Sequence, residues 1–201
     1  MKIQVPFFKQ TSILNCGPTA LRMILSYLDK DPGLEKLEKL SDIKEGKGVY
    51  TLQLAIASAS LGFPTEFYSK QINFNEANLK LDFYKNYADN DRKLYEKLIE
   101  KAKDLGIEMH EKSINLDELL SMITPDSLAL ILLDWHVIVN KPEKAYQGHF
   151  VPIVGYDQDN VYVHNQDNNN PQQFIKIKKG LFDKARKAKG TDEDIVIIKR
   201  K

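Results

Sequence analysis

Apolar residues along this chain recur at helical spacing in the first part and gather into short strand-length runs in the second. The run Ala20 to Leu28 has helical spacing and follows Asn15-Cys16-Gly17-Pro18-Thr19, so a helix is expected to open at Cys16. Asp31-Pro32-Gly33 breaks that pattern, and the charged stretch Leu34 to Leu40 predicts a short exposed helix. Thr51 to Leu61 reads as a packed helix with Thr51 as its N-cap and Gly62 as its stop. Asp91 to Leu105 repeats the design, with Leu94, Leu98 and Ala102 on one stripe, Asp91 as the cap and Gly106 as the terminator. Asn115 caps a short helix over Leu116 to Ile123. Phe63 to Tyr68 and Ile107 to Ile114 read as extended pieces, and Asn73 to Asn90 shows no clear period.

The second part is different. Leu128 to Leu133 is an unbroken apolar run too short for a buried helix, so it predicts a buried strand, continuing less regularly through Trp135 to Val139. A strand from His149 to Tyr156, a polar turn at Asp157-Gln158-Asp159-Asn160 and a strand through Asn165 form a hairpin. Gln173 to Ile177 and Ile195 to Ile198 add two more strands, separated by a helix over Leu181 to Lys189 that Gly190 ends. Helices early and strands late give an α+β class, read as a single domain over 1–201, with a cleft where a helical lobe meets a β lobe.

Composition narrows the function classes. Lys and Arg number 29 against 28 Asp and Glu, a net charge of +1, so no global field favours nucleic acid or an anionic membrane. The one dense basic stretch, Lys176 to Lys189, shares its helix with an apolar stripe and reads as a solvated outer face. No run approaches the ~18 apolar residues of a membrane span. A single cysteine and the absence of an apolar leader after Met1 fit a reducing, cytoplasmic setting. The four histidines form no His-x-x-x-His pair, and no glycine-rich phosphate loop occurs, so neither a metal nor an organic cofactor is expected. The acids of Gly190-Thr191-Asp192-Glu193-Asp194 read as part of a structural turn.

The cysteine is where chemistry concentrates. A thiol attacks as the thiolate, and the free N–H groups of a helix start stabilise that anion, so Cys16 is expected to ionise well below the free-cysteine value of about 8.5. His149 begins a strand, and Asn165 ends its hairpin partner. Taken singly, a lone cysteine is more often a small buried apolar residue, and a histidine before a strand is more often structural. Together the three supply a nucleophile, a base and an orienter. A one-residue slip of the hairpin would put His164 or Gln166 in place of Asn165, which keeps Asp167 open as an alternative orienter.

Gln10 stands six residues before Cys16 and Asn165 sixteen after His149, a spacing that resembles papain-like cysteine peptidases. Asn15-Cys16-Gly17-Pro18-Thr19 and the block from Gly148-His149-Phe150-Val151 through Gly155-Tyr156-Asp157 to Val161-Tyr162-Val163 are most similar to their bacteriocin-processing branch. Ala185 to Ile195 is similar to the C-terminal signature of a family labelled guanylyl cyclase domain-containing. The resemblance covers the two ends and not the middle. It implies a papain-like fold, with the cysteine helix in an N-terminal helical lobe and His149 and Asn165 in a C-terminal antiparallel β lobe.

The resemblance further implies a peptidase or amidase-type hydrolase acting on a peptide or related acyl substrate. In it Cys16 is the nucleophile, His149 the base, Asn165 the orienter and Gln10 an oxyanion donor. Many papain-like relatives carry proline after the asparagine, where this chain has Gln166. A non-catalytic peptide-binding module on the same fold is the alternative, and nucleotide binding or cyclisation rests on the family label alone.

Overall fold

The structure is a computed structural model that describes residues 1–141 and 144–201. Its chain order is helix α1 (Cys16–Leu28), α2 (Leu34–Leu40), α3 (Thr51–Ser60), strand β1 (Thr65–Ser69), a 3-10 turn (Glu76–Lys80), α4 (Asp82–Tyr87) and α5 (Arg92–Asp104). Then follow β2 (Glu108–Glu111), α6 (Leu116–Ser121), β3 (Ser127–Asp134), α7 (Trp135–Ile138), β4 (Gly148–Tyr156), β5 (Asn160–Asn165), β6 (Gln172–Lys178), α8 (Lys179–Arg186) and β7 (Ile195–Lys199). The class is α+β with papain-like organisation: Cys16 opens an N-terminal helix, and His149 and Asn165 stand on antiparallel strands.

One sheet connects the two ends of the chain, in the order β2-β1-β7-β3-β4-β5-β6. The last strand, β7, lies between β1 and β3 and runs antiparallel to both. Only β1 and β2 are parallel, which demands a long crossover, and the segment through α4 and α5 provides it. Every residue of β3 is buried, as its unbroken apolar run requires of a strand covered on both faces. Helix α1 buries nine of its residues against β4, β3 and its helical neighbours. Its second residue must be small: a Cβ on Gly17 would stand 2.9 Å from Leu54 Cδ1 and 3.1 Å from Phe150 Cδ2.

Local chemistry decided several boundaries that periodicity misplaced. Trp135 to Val139 is not a strand continuation, because Asp134 Oδ1 accepts from the His136 N–H at 3.1 Å and caps the short helix α7. Tyr50, not Thr51, is the N-cap of α3, and the Gln53 side chain reaches back to accept from the Tyr50 N–H at 2.7 Å. The unpatterned stretch from Asn73 folds as the 3-10 turn and α4, and no residue of α4 is buried. Among the described residues no helix is long and apolar enough to cross a membrane.

The basic stretch also departs from a solvated face at one position. Arg186 is 1% exposed, donates from Nε to Asp183 Oδ1 at 2.8 Å and from Nη2 to the Ile114 carbonyl at 2.7 Å, and ties α8 to the segment before α6. Truncating it strands a buried carbonyl and opens a void. Arg186→Ala is therefore expected to lower stability by on the order of 3 kcal/mol, against less than ~1 kcal/mol for Lys187→Ala, whose pair with Asp183 is solvent-screened. Urea midpoints of the two variants check the difference, and equal midpoints would remove Arg186 from the framework.

Candidate active site

The loop before α1 is folded by one side chain. Asn15 is buried and, although it is the N-cap, does not cap its own helix. Its Oδ1 accepts from the Thr11 and Ser12 N–H groups at 3.2 and 3.1 Å, and its Nδ2 donates to Thr11 Oγ1 and Glu38 Oε1, both at 2.8 Å. This curl brings Gln10 back beside Cys16, and the two line one cavity of about 430 Å³ together with His149. Gln10 is 5% exposed, its Oε1 is buried without a partner, and its amide donates no hydrogen bond among the described residues.

The hairpin register settles which residue faces His149. His149 Nε2 lies 2.9 Å from Asn165 Oδ1, and Asn165 Nδ2 donates to the Asn170 carbonyl at 2.9 Å. That second bond fixes which end of the amide is oxygen, so His149 Nε2 carries the proton and Nδ1 keeps its lone pair. His164 is occupied elsewhere, with Nε2 at 3.0 Å from the Val5 carbonyl and Nδ1 accepting from the Phe174 N–H at 3.1 Å. Asp167 lines the cavity but spends Oδ1 on the Asn169 and Asn170 N–H groups. The Trp135 ring meets the His149 ring edge-on at 5.0 Å between centroids.

Gln166, where many papain-like relatives carry proline, donates from Nε2 to the Cys16 carbonyl at 2.8 Å and to the Phe150 carbonyl at 2.5 Å. Its own carbonyl accepts from the Gln10 N–H at 3.0 Å. Sequence reasoning treated this position as a departure. A single buried amide at the end of a strand gave no periodic signal by which to find it.

Burial sets the protonation of the site. Desolvation raises the Cys16 thiol above its ordinary value, outweighing the Phe150, Gly17 and Cys16 N–H groups that favour the thiolate. The expected lowering by the helix start is present but opposed: the half-buried thiol loses part of its water, and that desolvation acts in the other direction. Desolvation likewise lowers His149 to about 4, against the smaller opposing effects of Asn165 and Asp167. Both partners are neutral at pH 7.

Away from the cavity, Glu66, Glu108 and His110 offer ligand atoms within 4.8 Å of one another at the β1–β2 edge. Glu66 is already engaged by Lys199 and Tyr68 at this sheet edge.

The family model described as "Guanylylate cyclase" matches residues 5–198. The chain belongs to this family. A relative in Arabidopsis thaliana, "Guanylyl cyclase 1", is 25% identical over 211 residues, which span 98% of this chain and 76% of the relative.

Solved structures place the guanylylate cyclase family member on a peptidase fold. The peptidase domain of Streptococcus ComA, a bifunctional ABC transporter of a quorum-sensing pathway, superposes with a TM-score of 0.54 at 12% identity, over 98% of this chain and all of that one. A C39-like peptidase from Bacillus anthracis superposes at 0.61 and 15% identity, over all of this chain and 98% of that one. A double-glycine motif protease from an AMS/PCAT transporter, solved in complex with the leader peptide, superposes at 0.54 and 17% identity, over all of this chain and 94% of that one.

The shift of His149 carries a stability signature. A group whose native value lies below its unfolded value of about 6.5 withholds a proton that the unfolded chain takes up, so stability is full above pH 6.5 and falls as pH drops toward 4. The fall amounts to roughly 3 kcal/mol for a shift of this size. His164, also buried and shifted down, contributes with the same sign. Urea unfolding of His149→Gln at pH 4.5 and 7 is expected to show a smaller pH difference than wild type, and an unchanged difference would mean that His149 is solvated.

Proposed function

We propose that this member of the guanylylate cyclase family is a cysteine-dependent hydrolase of a peptide or related acyl bond. The carrying observation is the His149–Asn165 bond behind a cavity that Gln10, Cys16 and His149 share. In this reading Cys16 Sγ attacks the carbonyl carbon while its proton moves to His149 Nδ1, and Asn165 holds the ring that becomes imidazolium. The uncommitted Gln10 amide and the Cys16 N–H stabilise the oxyanion. The tetrahedral intermediate collapses, the amine leaves with the proton from His149, and a thioester remains on Cys16. Water, deprotonated by His149, then releases the acid and restores the thiol. The resting pair is neutral, so its ionisation is coupled to substrate arrival, which suits a site that should not react with every electrophile.

The fold likeness to a protease solved with its leader peptide supports a peptide as the substrate class. The family's and the plant relative's names favour a second reading, action on a nucleotide. The cavity lends it no direct support, since no Lys or Arg lines it among the described residues to pair with a triphosphate.

An acyl-directed electrophilic probe is expected to label Cys16 in wild type and to fail with His149→Ala, while His136→Ala, whose Nδ1 is bound to the Ala145 carbonyl, labels normally. On a cleaved substrate, Gln10→Ala is expected to lower kcat by about 10²-fold to 10³-fold without loss of fold. Absence of labelling in folded wild type leaves a binding module, and a GTP-dependent rise in melting temperature would favour the nucleotide reading.

A further inference from the structure

The cavity does not end at the thiol. Phe150, Leu132 and Asp194 form one row across β4, β3 and the residue just before β7, since Leu132 pairs with Phe150 and donates its N–H to the Asp194 carbonyl at 3.3 Å. All three line the cavity, so the carboxylate end lies about two strand spacings, ~10 Å, from the Phe150 backbone that faces Cys16.

The family signature builds this far end. Thr191 Oγ1 donates to the Arg186 carbonyl at 2.6 Å, Glu193 takes the Ser113 hydroxyl, and the two oxygens of Asp192 accept from Asn75 and Asn78 at 2.7 and 2.6 Å. Asp192 and Glu193 hold left-handed φ values of 49° and 57°, so the turn is fixed by its contacts and not by glycine. Those contacts leave Asp194 lining the cavity with no ion pair among the described residues, its carboxylate eased by the nearby Thr51 and Ser69 hydroxyls. Burial among the aromatic rings pushes it up to about 7.

Nine aromatic side chains line the cavity. Tyr84 and Tyr146 stack at 5.8 Å, with the Tyr84 hydroxyl anchored to the Gly190 carbonyl at 2.6 Å, and Tyr50 meets Tyr95 edge-on at 5.0 Å. Two hydroxyls at this end, Tyr146 Oη and Thr51 Oγ1, are more than nine-tenths buried, line the cavity and have no partner of full bonding geometry, Tyr146 lying near the Tyr84 hydroxyl and Thr51 near enough to Asp194 to ease its charge. Aromatic faces, carboxylates, idle hydroxyls and no protein cation make a site complementary to a cation that the protein does not supply.

We propose that the Gly190–Asp194 end of the cavity is a subsite for a cationic group of the substrate, an alkylammonium or alkylguanidinium. Asp194 supplies the charge, the tyrosine rings supply the faces, and the distance suits a basic side chain carried beside the acyl group that Cys16 attacks. The word substrate rests on the hydrolase reading; the binding of a cation does not.

Calorimetric titration with butylguanidinium, and with butylurea as its neutral isostere, separates the two. Butylguanidinium is expected to bind wild type and Cys16→Ala alike, with butylurea at least about tenfold weaker, and Asp194→Asn to lose a similar factor for the cation alone. Equal binding of the two compounds, undiminished binding to folded Asp194→Asn, or no saturable binding at millimolar concentration would each overturn the subsite. Should Asp194→Asn not fold, the ratio of the two compounds on wild type decides by itself. Failure of the probe to label Cys16 would sink the hydrolase reading and leave this result standing.

Discussion

The carboxamide of Gln166 holds together segments that arrive from three distant parts of the chain. Its nitrogen bridges the carbonyl of Cys16, at the start of α1, and that of Phe150, in β4, while its backbone oxygen takes the Gln10 N–H. Each bond contributes only about 1 kcal/mol net, but leaving two buried carbonyls unpaired would cost ~1–3 kcal/mol apiece. The helix start is thereby pinned against the strand whose N–H faces the thiol. Proline at this position could make neither side-chain bond, so the chains that carry it must fasten helix to strand by other contacts.

That fastening explains the electrostatics. A helix start seated against a sheet is shielded from water, and shielding disfavours both the thiolate and the imidazolium. The same enclosure strengthens any charge–dipole interaction once a substrate fills the cavity, because no solvent remains to compete. Enclosure therefore favours the neutral thiol and the neutral His149 ring, which Asn165 holds in one tautomer.

Much of this was legible in the sequence, and the reasons differ by element. The start of α1 showed because Asn15 to Thr19 precedes a strongly apolar helical run, and β3 showed because six consecutive apolar residues fit little else. A site shared by Cys16, His149 and Gln10 was readable from residue type and spacing, and the three do line one cavity. Asn165 was separable from His164 and Asp167 only by hairpin register, which strands buried on both faces leave ambiguous until they pair. Gln166 was invisible because its work lies in two long-range bonds to backbone carbonyls. Arg186 was misread because a basic helix face predicts solvent, and its one buried member is distinguished only by a carbonyl 72 residues away.

The middle of the chain and its C-terminal signature are two halves of one construction. Residues 73–90, where no period could be read, supply Asn75 and Asn78 to Asp192 and the Tyr84 hydroxyl to Gly190. A segment whose side chains bind a turn across the sheet has no reason to alternate as a helix or strand would, and its irregularity follows from that task. Gly190 is needed there because at φ 101° a Cβ would stand 2.6 Å from Leu81 Cδ1. The C-terminal turn and the irregular middle segment thus form together a wall of the cavity that Cys16 also lines.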